Sequence, residues 1–315
     1  LPAFAASAPG KIILFGEHAV VYSRPAIAVP VNMVRARAAV MANPAGPPGQ
    51  VQIRADDIGL DSPLDALPYD HPLALAVHLV AEQIHVERLP ALRLQITSTI
   101  PIASGLGSGA AVTTAIARAL SAFLGHPLTD EQVSAIAYRV DQEYHGQPSG
   151  IDNTTIAYAQ PIFFIRGQPF ERLCVGQPFS IIIGNTGIAS PTSAAVGDVR
   201  KAWLANPDRL EPIFDEIGSI ARQARKFIED GLPERLGPLM NHNQALLQDL
   251  DVSSPELDRL IAAARSAGAA GAKLCGGGRG GNMIALVTPE TAQPVADALR
   301  QAGAVNTITT TIEKT

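Results

Sequence analysis

A chain of 315 residues, 47% hydrophobic and 17% charged, is long enough for two domains and has a globular rather than a disordered or fibrous composition. Its formal net charge of −5 argues against nucleic acid or an anionic membrane as a partner, since either would need a concentrated basic face. Two cysteines, Cys174 and Cys275, without a C-x-x-C spacing, argue against a secreted disulfide framework and predict a reducing, cytoplasmic setting. No apolar run approaches the roughly 20 residues of a membrane span, and residues 1–10 lack the pattern of a signal peptide.

In chain order, strand patterns at 12–15 and 26–31 flank a polar turn carrying Glu17 and His18. Alternation at 34–41 and 51–54, around the turn cluster NPAGPPG, predicts paired strands in an antiparallel sheet. A helix follows at 72–86 and a strand at 92–98, leading into the Gly-rich turn GLGSG at 105–109 and an Ala-rich helix. Thr129 with Gln132 matches a capping box and opens a helix to about residue 144. Strands at 162–165 and 180–184 enclose a Pro/Gly-rich interval, which sets a domain boundary near residue 170 and gives domains 1–170 and 171–315.

The carboxyl half opens with helical patterns at 192–205, 210–230 and 233–250, then a helix from Ser254 with Pro255 at its first position. Strands at 272–274, 283–287 and 307–312 surround the glycine run 276–281 and a helix at 290–302, which predicts a two-layer α+β domain.

Three stretches carry chemistry. The turn Gly105, Leu106, Gly107, Ser108, Gly109 running into a helix is the layout of an anion site: glycines let backbone N–H groups turn inward, and a helix start adds more of them with the positive end of its dipole. It is not a Walker A loop, because Gly109 is followed by Ala110 and Ala111 where that motif has Lys and Ser/Thr. The stretch DQEYHGQPSGIDN places Asp141, Glu143, His145, Ser149, Asp152 and Asn153 around a Gly-Gln-Pro turn, a density of polar groups that stability alone does not require. The third stretch is the glycine run, and three Gly-containing loops at strand ends predict one shared site.

Read together, residues 9–31, 101–111 and 273–284 resemble, in order, the three motifs of the GHMP small-molecule kinases. GEHAVVY followed by PAIAVP, and HGQPSGIDN, are most similar to its mevalonate kinase branch. The resemblance implies an α+β fold of two domains, the first with a left-handed β-α-β unit and the second ferredoxin-like. It implies ATP and Mg²⁺ as cofactors and mevalonate, phosphorylated on its C5 hydroxyl, as the small-molecule partner. A homodimer is left open as an expectation, since no residue pattern decides the oligomeric state.

On the same resemblance, Asp152 is the base and Lys11 the motif-one lysine beside it. Pro101, Ala103, Ser104, Gly105, Leu106, Gly107, Ser108, Gly109, Ala110 and Ala111 wrap the nucleotide phosphates. Glu17, His18, Ser149 and Thr192 line the substrate pocket. Glu143 matches the acidic residue used on Mg²⁺, with Ser108 as a second ligand. Gly109 departs from the family's Gly-Leu-Gly-Ser-Ser-Ala by lacking the second serine hydroxyl, and Arg279 departs from an all-small third loop.

Three other readings compete. One is a kinase for phosphomevalonate or another small alcohol, which would need extra cations in the pocket. Another is a non-catalytic ligand sensor of the same fold, which would be expected to lose the base or the lysine. The third is a dinucleotide oxidoreductase, whose fingerprint should open a parallel βαβ unit.

Overall fold

The computed structural model describes residues 3–101, 105–145, 148–189 and 192–315. It divides into two compact units interleaved along the chain, one made of 1–10, 34–101 and 107–159, the other of 11–33, 102–106 and 160–315. Strands β1 (Ala3–Phe15) and β2 (Ala26–Ala42) contribute to both units.

In the first unit the second half of β2 is joined by β3 (Val51–Ala55), β4 (Leu60–Pro63), α1 (Pro72–Gln83), β5 (Leu92–Ser98), α2 (Ser108–Phe123), α3 (Asp130–His145) and α4 (Ile151–Tyr158). Strand β5 lies between β2 and β3, antiparallel to the first and parallel to the second. The direct pairing of 34–41 with 51–54 expected from alternation is therefore corrected. Alternation fixes which face of a strand is buried but not its neighbour, and a parallel partner needs a long crossover, here supplied through α1. In β5, Leu92, Leu94 and Ile96 are buried while Arg93 and Thr97 are exposed. They pack with Leu79 of α1, Ile116 and Leu120 of α2, and Val133 and Ile136 of α3. Helix α3 begins at the expected cap, with the Thr129 amide donating to the Gln132 side chain at 3.0 Å and the Gln132 amide donating to Thr129 at 3.3 Å.

The second unit takes the first half of β2, paired with β6 (Ile162–Phe164), which pairs with β7 (Glu171–Arg172). It continues through β8 (Phe179–Asn185), α5 (Thr192–Ala205), α6 (Pro207–Glu229), α7 (Leu236–Asp249), α8 (Pro255–Ser266), β9 (Gly271–Cys275), β10 (Asn282–Val287), α9 (Pro289–Gln301) and β11 (Asn306–Ile312). The last four long strands form an antiparallel sheet in the order β11-β8-β10-β9. With helices between β8 and β9 and between β10 and β11, this is the ferredoxin-like order.

Helix α6 starts three residues before the expected 210, because Asn206 accepts from the Arg209 amide at 3.2 Å and Pro207 occupies the first turn. The edge strand β9 is closed by side chains of α7: Asn241 accepts from the Ala272 amide at 3.1 Å and Gln244 from the Leu274 amide at 2.8 Å. All five residues of β9 are buried, Lys273 among them.

Candidate active site

In the second unit, β1 ends in a turn at Gly16, whose φ of 100° suits glycine and where a Cβ would lie 2.5 Å from the Ala26 Cα. That tight approach sends Glu17 and His18 inward, 1% and 5% exposed. Two anchors from the third motif meet them. The Lys273 ammonium donates to Glu17 Oε1 and, at 2.8 Å, to the Leu274 carbonyl. His18 Nε2 lies 3.0 Å from the Gly277 carbonyl oxygen.

Each of the two side chains has one anchored end and one open end. Glu17 Oε2 and His18 Nδ1 are buried without a hydrogen-bond partner among the described residues. A carbonyl can only accept, so the contact with Gly277 assigns the imidazole proton to Nε2 and leaves Nδ1 as an acceptor. Burial pushes His18 down to about 4; the Gly277 carbonyl opposes this and the Arg279 charge adds to it, so the ring is neutral at ordinary pH. Burial pushes the Glu17 carboxyl up, and Lys273 and then Lys11 pull it back. The pair therefore offers two buried acceptors, a set that fits the hydroxyl groups of a ligand and leaves them unmatched by an apolar one.

Lys11 is 3% exposed, so the solvated strand lysine that its sequence position allows is not what the fold makes of it. Its amide donates to the Leu106 carbonyl at 2.9 Å, tying β1 to the end of the Gly-rich loop. Gly105 has a φ of 78°, and no atom of the described residues lies within 4 Å of its would-be Cβ, so conformation is what calls for glycine there. Thr192 opens α5 and is exposed; the backbone of Gly277 comes so near that a Cβ on it would lie 3.1 Å from the Thr192 Cα.

In the first unit, α2 starts at Ser108 behind Gly107, a left-handed cap (φ 76°) with no side chain to occupy the helix start. Ser108 is half-buried, Gly109 exposed, and Ala110 and Ala111 buried. Among the described residues, the only side-chain atom near a would-be Cβ at Gly109 is Asp141 Oδ1, at 3.7 Å. Asp141 is 9% exposed and sits on α3, whereas Glu143 on the same helix is exposed. Residues two apart on a helix lie about 200° apart around it, so the two carboxylates face different ways.

Asp152 occupies the first turn of α4 behind Gly150, where a helix dipole favours negative charge. Ser149 accepts from the Ile151 amide at 3.4 Å in the same turn. Asn153 donates to the Ser134 carbonyl at 3.2 Å and hydroxyl at 2.9 Å, tying α4 to α3. Pro101 is half-buried at the end of β5's loop; Ala103 and Ser104 lie outside the described residues. Among the described residues no three His, Cys, Asp or Glu side chains cluster as a metal cage. No helix among them is long and apolar enough to cross a membrane.

Sequence reasoning named Asp141 without placing it beside Gly109, and it missed the Lys273–Glu17 pair. The i, i+2 offset of Asp141 from Glu143 could have shown that the two cannot serve one site. Nothing local marks Lys273 as the partner of a residue 256 positions away.

Comparison with known proteins places the chain in a family. The profile described as GHMP kinases N terminal domain matches residues 72–160, and that described as GHMP kinases C terminal matches 224–305. A mevalonate kinase of Thermococcus gammatolerans is 38% identical over 326 residues, covering 96% of this chain and 95% of its own. Among solved structures, the L. major mevalonate kinase in complex with R-mevalonate superposes with a TM-score of 0.84 at 30% identity, covering 99% of this chain and 96% of that one. The Methanococcus jannaschii mevalonate kinase also gives 0.84, at 25% identity, covering 100% and 99%.

Proposed function

The chain belongs to the GHMP kinases, and on that premise we propose that it is a mevalonate kinase, moving the γ-phosphoryl group of ATP to the C5 hydroxyl of mevalonate in isoprenoid biosynthesis. The observation that carries the substrate is the buried pair of open acceptors, Glu17 Oε2 and His18 Nδ1, which suits a hydroxylated small molecule. In this reading residues 1–170 form the ATP-binding domain and 171–315 the second kinase domain.

Phosphoryl transfer asks chiefly for positioning and charge neutralisation. Gly105 and the α2 start at Ser108 supply backbone N–H groups to the phosphates, helped by the absence of a capping side chain at Gly107. Asp152 accepts the hydroxyl proton as the oxygen attacks, and Lys11 lends positive charge to that oxygen. Ser149 and Thr192 keep in this reading the substrate-binding roles that the family motifs imply for them.

Mg²⁺ suits carboxylate and phosphate oxygens and would neutralise phosphate charge when bound. The role expected of Glu143 passes in this proposal to Asp141, supported by its buried carboxylate beside Gly109; Ser108 is retained as the second protein ligand.

The purified protein should be given Mg·ATP with mevalonate, phosphomevalonate, homoserine and galactose in parallel, and ADP release measured. Release with mevalonate above all others is expected. Release with phosphomevalonate but not mevalonate would overturn the assignment.

A further inference from the structure

Five of the six residues in loop 276–281 are glycine, and the sixth, Arg279, adopts a φ of 57°, a left-handed conformation disfavoured for a residue with a Cβ. Residues outside the loop hold it there through three contacts. Its amide donates to the Val252 carbonyl at 2.7 Å, its Nε to the Asp251 carbonyl at 3.3 Å, and its Nη1 to Asp198 Oδ2 on α5 at 2.6 Å. The guanidinium that departs from an all-small third loop thus has a carboxylate partner, and Asp198 is held below the usual carboxylate range first by Arg279 and then by Lys201.

Helix α5 is anchored at its far end by Trp203, which meets Tyr22 and donates to Glu211 at 2.7 Å, but its first turns bury only Ala195 and Val199 and need such a contact. An apolar stripe that thin gives little purchase on the core. Yet α5 begins with Thr192, which lies against Gly277, and the carbonyl of Gly277 orients His18. We propose that Arg279 and Asp198 are positioning residues whose ion pair latches α5 to the third-motif loop, keeping Thr192 in register with the loop carbonyl that orients His18. The proposal rests on the reading of His18 and Thr192 as parts of the mevalonate pocket.

The pair is partly exposed, 35% and 44%, so salt screens it and its loss is modest and measurable. Arg279→Gly removes the side chain at a position whose backbone prefers glycine, so the variant folds; Asp198→Asn keeps shape while removing charge. In the substrate-free protein, amide hydrogen exchange over 192–199 should quicken roughly two- to fivefold in either variant. In kinetics with mevalonate the KM should rise by roughly the same factor, with the KM for ATP unmoved and the double variant no worse than either single. The wild-type KM should rise with salt while that of the variants stays flat.

A thermal midpoint of Arg279→Gly at or above the wild type, together with the raised KM, separates positioning from general stability. Unchanged exchange over 192–199, or additive effects in the double variant, would overturn the latch. Absence of mevalonate turnover in the wild type would instead overturn the substrate reading, and the exchange experiment would still decide the latch.

Discussion

Lys273 and Glu17 form an ion pair in which neither side chain has any solvent exposure, and the second lysine contact, to the Leu274 carbonyl, fixes the ammonium within its own strand. A buried pair of this kind is weak evidence of net stability, since desolvation offsets attraction, but losing one member leaves a buried charge uncompensated. Its value here is directional: with Oε1 held, Oε2 can only present itself to a ligand.

Lys273→Met should therefore destabilise the protein by about 3–5 kcal/mol, and adding Glu17→Gln should recover much of that loss. Urea unfolding of the two singles and the double checks it. Additive losses would mean that the two side chains do not act as a pair.

The depressed His18 makes the protein acid-sensitive in a defined window. Below pH 6.5 the unfolded chain takes up a proton that native His18, at about 4, refuses, so stability is full above 6.5 and falls as pH drops toward 4. The full extent is on the order of 3 kcal/mol. In His18→Gln this part of the slope should vanish, which unfolding curves at pH 4.5, 5.5 and 7 would reveal; an unchanged slope would refute the assignment.

The two thiols should differ sharply. Cys174 is exposed, while Cys275 is buried, donates to the Ile13 carbonyl at 3.4 Å and is pushed up to about 11, first by burial and then by the Glu17 charge. Native protein treated with iodoacetamide at pH 8 should take one label quickly, the second at least about a hundredfold more slowly, and both at once in denaturant. Equal labelling of the native thiols, seen by mass spectrometry, would contradict the buried site.

Gly109→Ser should fold normally, because among the described residues its Cβ meets only Asp141 Oδ1, at ordinary contact distance. The restored hydroxyl should lower the Mg²⁺ concentration for half-maximal activity, whereas Asp141→Asn should raise it roughly tenfold or more and Glu143→Gln should leave it near the wild-type value. A large shift in Glu143→Gln alone would return the metal to that residue.

Asp152→Asn should lower kcat by a factor on the order of 100 or more with little change in the KM for ATP, since a base acts only as the oxygen attacks. Near-normal turnover would remove it from that role.

Much of this was legible in the sequence where local chemistry decides structure. Ser254 does accept from the Leu257 amide at 3.3 Å with Pro255 in the first turn, and β5 spans the expected 92–98. The three motifs led to the family. What was not legible depended on distance along the chain or on faces of a helix. Alternation in β3 could not say that β5 would be its parallel neighbour. Helix α4 has only eight residues and no clear amphipathic period, so it hid within a polar stretch. A lysine in a strand reads as surface unless its partner is known, and the partner of Lys273 lies near the other end. The role of Arg279 depended on α5 folding back, which no spacing announces.

The His18 and Glu17 contacts span 259 and 256 residues, and that separation sets a timetable for biosynthesis. At 5–20 residues per second, roughly 13 to 50 seconds pass between the emergence of Glu17 from the ribosome and that of Lys273. Through that interval Glu17, destined for the interior, lacks its ion-pair partner and has only the weaker pull of Lys11, so the unit containing it cannot close around its amino-terminal strands. Nascent chains halted before residue 271 should therefore stay protease-sensitive near residue 17, and the enzyme's pocket is among the last parts of the molecule to come into being.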